Sequence, residues 1–473
     1  MAEIAAATAV ARIAAWSERL AYEQIPEAVR SVACRCLIDT LGVAIAGSRH
    51  RVPAALRSFA RAHCAAGEAS VLGARWRLQP PGAALVNAAC AHALDFDDNC
   101  YAGSVHGSAV IVPAALAAAE AGSLPGSALL TALVAGAEAE YAVGAALTDR
   151  IYQKGWWTTG VLGPVGATVA AARAMHLNAA EAARALGLVL GGTGGVKACF
   201  GTDAKPALCG RAAEAGVVAA ELAARGITGP LDAIESGRGL AALFNDGVFD
   251  HGAFDQLGNS WRLLDPGIDV KRTPLCLSSQ AAVDGIRSLI TEYGLAAADV
   301  ARVICDVPPG AAANLAYTRP GTAQEAQFSM NFAIAAAIVF GDVALVHLDP
   351  AVLDDPLLGE MMRRVEMLTS ARWNDAKLLR RSPEGAFVSV LTRNGERLER
   401  FSAAACGTAL LPFTDAEIDA KFIDCTSPVI GLSQGEMLLG RLHGVAVLSS
   451  ARDLLRGIEW NGVEREAFAG AAR

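Results

Sequence analysis

Three short stretches of the 473-residue chain gather side chains able to hold an anion and move a proton. The first runs Asn87-Ala88-Ala89-Cys90-Ala91-His92-Ala93-Leu94-Asp95-Phe96-Asp97-Asp98-Asn99 and on to His106. Its clustered aspartates follow an apolar helical pattern, where carboxylates are costly to bury unless paired or used; an acidic helix end open to water is the plain alternative. The second is Gly191-Gly192-Thr193-Gly194-Gly195, followed by Gly201-Thr202-Asp203-Ala204-Lys205-Pro206. It lacks the Gly-Lys-Ser/Thr ending of a phosphate loop. Its glycines therefore read as backbone passing close to a substrate or another helix. Lys205 is placed to hold a carboxylate, with a surface charge as the ordinary alternative. The third, Asp269-Val270-Lys271-Arg272-Thr273-Pro274-Leu275-Cys276, sets two adjacent cations where the composition shifts, which suits an anionic substrate in a cleft, or else a solvated linker.

Together these residue types suit proton transfer beside a carboxylate. Such a C–H is very weakly acidic, so the carboxylate must be neutralised, a base must stand near the carbon, and enolate-like charge must be stabilised. Lys205 and Lys271 are expected to hold and polarise the carboxylate, with His106, oriented by Asp95, as general base or acid. A hydrogen-bonded structural histidine is the competing reading of His106. A leaving group on the β carbon would make the reaction an elimination. A second acid on the opposite face would make it an epimerisation.

The elements that must position these groups are mostly helical. In Pro26 to Gly47, apolar residues at Val29, Val32, Ala33, Cys36, Leu37 and Leu41 form a one-faced stripe. Helical patterns recur at about 81–94, 107–122, 126–147, 160–176, 179–190 and 207–226, many too apolar all round for a surface helix. After residue 268 the pattern changes. Val300 to Val307 reads as a strand, and Ala386 to Arg393, Asn394-Gly395 and Glu396 to Phe401 as a hairpin, with helices at about 278–293 and 327–340 between. Helical patterning returns near 415 and is expected to run to the end. The expected fold is mainly α: a large all-helical domain from the N- and C-terminal segments, 1–268 and 405–473, and an inserted smaller α+β lid domain, 269–404.

A net charge of -8 with no long Lys/Arg run gives no footprint for nucleic acid or an anionic membrane, so a small carboxylate is the expected partner. The most membrane-like stretch, Ala128 to Leu147, is broken by Glu138 and Glu140 and reads as a core helix. The 11 cysteines lack zinc-like spacing, so reduced thiols, a cytoplasmic setting and no metal are expected.

The three stretches, with Leu37-Ile38-Asp39-Thr40-Leu41-Gly42, Gly155-Trp156-Trp157-Thr158-Thr159-Gly160, Arg319-Pro320 and Glu325-Ala326-Gln327-Phe328-Ser329, make the chain resemble the MmgE/PrpD family over nearly its whole length. That family includes 2-methylcitrate dehydratase, cis-aconitate decarboxylase and iminodisuccinate epimerase. The resemblance implies a helical body and a mixed lid with the site between them, a homodimer, and no metal, flavin or nicotinamide cofactor. Carried over, it makes Asp95, His106, Lys271 and Tyr152 catalytic, and puts Asn99, Trp157, Lys205, Arg272, Cys276 and Tyr317 around the substrate. Trp157, Cys209 and Cys276 stand where relatives often carry histidine, and Asn99 where threonine is frequent. Losing three imidazoles argues against a tricarboxylate. The reading is a dehydratase-like lyase on a small carboxylic acid, with an epimerase, a decarboxylase or an inactive helical partner protein as alternatives.

Overall fold

Helix ends follow the punctuation of the sequence. The computed structural model describes residues 8–460, and in it Gly107–Gly122, Gly126–Leu147 and Ala179–Leu190 are helices with the expected bounds. At the last of these, Asn178 accepts from the Glu181 N–H at 3.0 Å and Glu181 accepts from the Asn178 N–H at 3.0 Å, a reciprocal cap. Glu27–Gly47, Pro80–His92, Thr158–Ala174 and Ala204–Ala224 complete the central stack. Small residues let these helices cross closely. A Cβ on Gly210 would stand 2.3 Å from the Leu85 carbonyl oxygen, and one on Gly216 2.4 Å from the Ala167 Cβ. The Ala204–Ala224 helix therefore seats between Pro80–His92 and Thr158–Ala174, which fixes Lys205 near its start against the loop that follows His92.

Gly126–Leu147 is long and apolar enough to cross a membrane, yet 89% of its apolar window is buried inside the fold. Its two acids are accommodated differently. The Glu138 carboxylate accepts the backbone N–H groups of Arg262 and Leu263, both at 2.9 Å. Burial, with Asp98 nearby, pushes the Glu140 carboxyl up to about 8, so it stays protonated at neutral pH.

The apolar core of this body draws on residues from Ala9 to Trp460, so segments from both ends of the described residues contribute. A second core lies between Leu275 and Ala405. There the helices Leu277–Tyr293 and Met330–Phe340 cover a four-stranded sheet ordered Val365–Leu368, Val300–Asp306, Ala386–Thr392, Arg397–Ser402. Val303 pairs with Val390 on one side and Val365 on the other. The hairpin turns at Gly395, whose φ of +89° explains the Asn-Gly step. The strand Val365–Leu368 was not expected: it is four residues long and runs parallel to its neighbour, so no tight turn announces it.

Helical structure resumes at Asp415–Ile430, capped by Thr414, and continues through Leu432–His443. It does not run to the end as expected. Gly444, Ser450 and Gly457 interrupt the pattern, leaving short 3-10 turns. Residues 461–473 of that expectation lie outside the described residues.

Candidate active site

The site begins where the Pro80–His92 helix ends. Asp95 takes a left-handed backbone, φ +47°, which an aspartate tolerates better than most residues and which reverses the chain. Asn99 and Asp269 then exchange two backbone hydrogen bonds, 2.9 and 2.8 Å, and Cys100 and Val105 exchange another two, 2.8 and 3.0 Å. The first pair draws the segment carrying Lys271 alongside the Asp95 loop. The second closes the loop so that His106 arrives at the head of the Gly107–Gly122 helix, its N–H donated to Thr159 Oγ1 at 3.0 Å.

Lys205 Nζ binds Asp95 Oδ1, and Lys271 Nζ binds Asp95 Oδ2 at 3.0 Å and the Asp95 carbonyl oxygen at 2.7 Å. All three side chains are buried. Burial alone would raise the Asp95 carboxyl, but the charges of Lys205 and Lys271 hold it well below the usual carboxylate range. Burial likewise disfavours the Lys271 ammonium, and Asp95 and Asp97 overcome this, so its affinity for the proton rises. The rings of Trp157, Phe200 and Phe328 surround Lys205 at 6.0, 5.4 and 5.2 Å from its nitrogen.

Asp95 is thus engaged with the lysines and does not orient His106, contrary to the expectation. Asp97 does. Its Oδ2 lies 2.7 Å from His92 Nδ1 and 3.3 Å from His106 Nδ1, and His106 Nδ1 also lies 2.9 Å from the Asp98 carbonyl oxygen. Two acceptors at Nδ1 place the His106 proton there and leave Nε2 with its lone pair. Burial and the charges of Lys271 and Lys205 lower the His106 pKa against the pull of Asp97, keeping the ring neutral at pH 7. His92, more deeply buried, falls to about 4. The ligand atoms of His92, Asp97 and His106 lie within 4.8 Å of one another, a trio of metal-binding residue types inside the first stretch that a search for zinc-like cysteine spacing passes over. One carboxylate oxygen, Asp97 Oδ2, faces both Nδ1 atoms, while Asp97 Oδ1 and His92 Nε2 are buried with no hydrogen-bond partner among the described residues.

A cavity of about 750 Å³ opens over this centre, lined by Asp95, His106, Lys205 and Lys271 and, from the expected substrate contacts, by Asn99, Trp157, Cys276 and Tyr152. Tyr152 donates to Asn314 Oδ1 at 2.9 Å, and Asn314 donates to Ser278 Oγ at 3.1 Å. Burial pushes the Tyr152 phenol well above its usual range and the Cys276 thiol up to about 11, so both keep their protons. The Trp157 indole N–H is buried with no acceptor among the described residues.

Two expected contacts lie elsewhere. Arg272 is absent from the cavity lining and binds Asp284 at 3.0 Å and Asp342 at 2.7 Å. Tyr317 packs on Gly201 and donates to the Phe200 carbonyl at 3.1 Å, outside the cavity lining. The sequence reading also missed Lys197, Glu384, Tyr101 and Arg380, which line the same cavity. Lys197 follows the glycine stretch and is placed by backbone pairing that sequence spacing does not announce, Lys197 N–H to the Gly155 carbonyl at 3.0 Å and Trp157 N–H to the Gly195 carbonyl at 3.1 Å.

The MmgE/PrpD N-terminal domain matches residues 11–251, and the MmgE/PrpD C-terminal domain matches residues 274–439. The chain belongs to the MmgE/PrpD family. Among curated relatives within it, human cis-aconitate decarboxylase is 26% identical over 350 residues, covering 70% of this chain and 71% of the relative. The mouse cis-aconitate decarboxylase is 25% identical, covering 70% of each chain. The cis-aconitate decarboxylase-like protein oryM of Aspergillus oryzae is 26% identical over 447 residues, 89% of this chain and 91% of its own length.

Proposed function

We propose that the protein is a lyase of dehydratase type, which removes a proton next to a carboxylate of a small organic acid. The observation that carries this reading is the presence, in one cavity, of a neutral His106 with a free Nε2 beside the Lys205–Asp95–Lys271 cluster. An incoming carboxylate shares the two ammonium groups with Asp95, and their charge stabilises the enolate-like state. His106 Nε2 takes the proton from carbon, the electron pair becomes the C=C bond, and the β C–O bond breaks. Tyr152, kept protonated by burial, gives the departing hydroxyl its proton so that water leaves. Lys271, Cys276, Asn314 and Glu384, all from the stretch 269–404 expected as a lid, contribute to the cavity lining.

The names of the relatives favour a second reading, decarboxylation, in which the C–C bond to one carboxylate breaks, carbon dioxide leaves and the carbanion takes a proton. Incubation in deuterated water with a panel of carboxylic acids, read by mass spectrometry and chiral chromatography, tests both. An olefin with loss of water supports dehydration, and carbon dioxide with a deuterated product supports decarboxylation. Label with inverted configuration and neither product would instead make the protein an epimerase. No label or product with any acid, by the unaltered protein, would favour a non-catalytic helical partner.

A further inference from the structure

The chain has six lysines, and their surroundings differ in a way that bears on reactivity. Lys205 and Lys271 are bound to Asp95, Lys421 to Asp39 and Lys154 to Asp246, so each of these faces a carboxylate. Lys377 is exposed to solvent. Lys197 lines the cavity instead, and its nitrogen, 3.3 Å from the centroid of the Tyr152 ring, has no hydrogen-bond acceptor or ion-pair partner among the described residues.

We infer that Lys197 is a covalent site for small aldehydes, its amine closing reversibly on the carbonyl carbon to form an imine, with Glu384 passing the protons. The backbone holds the lysine in place: its N–H bonds the Gly155 carbonyl at 3.0 Å, in the segment that carries Tyr152 and Trp157. Packing on the Tyr152 ring positions the nitrogen but supplies no counter-charge. Burial brings the Lys197 pKa down to about 8, against the weaker pull of Cys276 and Glu384. About a tenth of such an amine is neutral at pH 7, against roughly one part in three thousand for an ordinary lysine of pKa 10.5. Glu384 lines the same cavity, hydrogen-bonded to Tyr101 and Ser278, while its Oε2 is buried with no partner among the described residues. Burial pushes its carboxyl up to about 7, so at neutral pH it can both give and take a proton. Leu277, Pro308, Pro309, Ala313 and Leu379 add apolar surface to the lining, which suits a short aliphatic chain.

The chemistry needs no oxidant and no second reactant. The neutral nitrogen forms a bond to the carbonyl carbon, the C=O π pair moves to oxygen, and that oxygen takes a proton from Glu384 while the nitrogen returns one, giving a carbinolamine. The nitrogen lone pair then closes the C=N bond as the C–O bond breaks. The hydroxyl leaves as water with a proton from Glu384, and the iminium left on Lys197 stands opposite an ionised Glu384.

The test incubates the full-length protein with propionaldehyde and cyanoborohydride, which reduces imines in place, and locates the alkylated amines by peptide mass mapping from pH 6 to pH 9. Because the free-amine fractions above differ by on the order of 100-fold at pH 7, Lys197 should be labelled at least about tenfold faster than Lys377. The lead should narrow as pH rises past about 8, where Lys197 is already mostly neutral. K197R should remove this label and leave those on Lys377 and on the α-amino group, read on its own peptide, unchanged. E384Q should slow labelling of Lys197 by about tenfold or more and leave Lys377 as it was. Equal rates at Lys197 and Lys377 at pH 7, or no label on Lys197, overturn the site, and an unchanged rate in E384Q overturns the part given to Glu384. Propionaldehyde carries no carboxylate, so the result is independent of the proton transfer proposed at His106.

Discussion

Replacing Asp95 by asparagine keeps the size of the side chain and removes the single charge that lies between two buried ammonium groups. Because Lys205 and Lys271 bind the two oxygens of one carboxylate, their nitrogens stand on the order of 5 Å apart. At an effective dielectric near 20 their mutual repulsion is then about 3 kcal/mol. That agrees with the roughly 3–5 kcal/mol usually lost when one partner of a buried ion pair is removed. The loss depends on pH in a defined way. Asp95 has a depressed pKa, so its contribution is present above the ordinary value of 3.8 and disappears as pH falls through the lower folded value. Lys271 has a raised pKa, so its contribution is full below 10.5 and disappears as pH climbs through the higher folded value. D95N should therefore unfold at a lower urea concentration than the parent across the window from about pH 4 to pH 10. D95N/K205M should recover part of the loss, since only one ammonium then remains. Urea titration of the parent, both single variants and the double variant closes the cycle. Equal midpoints for D95N and its parent at pH 7, or a double variant weaker than D95N, would refute the shared-carboxylate account.

D97N removes the negative charge that partly supports His106, so the acid limb of kcat/KM, set by a ring already below its ordinary 6.5, should move further down in pH while kcat falls. H106N should abolish solvent-deuterium incorporation, a loss of about 100-fold or more, measured by mass spectrometry. Glu140 titrates near 8 in the fold against an ordinary 4.5, so folding takes up a proton between these values and the parent loses stability as pH rises through that interval. E140Q should flatten that slope in urea melts from pH 5 to pH 8. G210A forces a Cβ to within 2.3 Å of the Leu85 carbonyl oxygen and should cost about 1–3 kcal/mol of stability by the same measurement.

Much of the body was legible because its helices are apolar runs bounded by Gly, Pro and Asn, as at Gly107–Gly122 and Ala179–Leu190. The ionic centre was legible by residue type but not by pairing. Asp95, Asp97 and Asp98 lie in one short loop, and the left-handed turn at Asp95 decides which faces the lysines and which the imidazoles. No periodicity encodes that turn. The same limit explains Arg272: beside Lys271 in sequence it reads as a second cation for the substrate, while in the fold, where a bend begins, it binds Asp284 and Asp342. Lys197, after the glycine stretch, carries no motif that would single it out in the sequence. Only the backbone pairing of that stretch with Gly155 and Trp157 brings it over Tyr152.

The bridging of Lys205 and Lys271 by Asp95 also bears on what the empty pocket rejects. Chloride and phosphate are common small anions, and two unpaired ammonium groups in a buried hollow would attract them. With an internal counter-ion already in place, a single small anion gains little by entering. A visitor is retained only if it reaches several donors at once, so the protein carries its own competitor, one tethered at fixed concentration and displaced only by a guest of the right span.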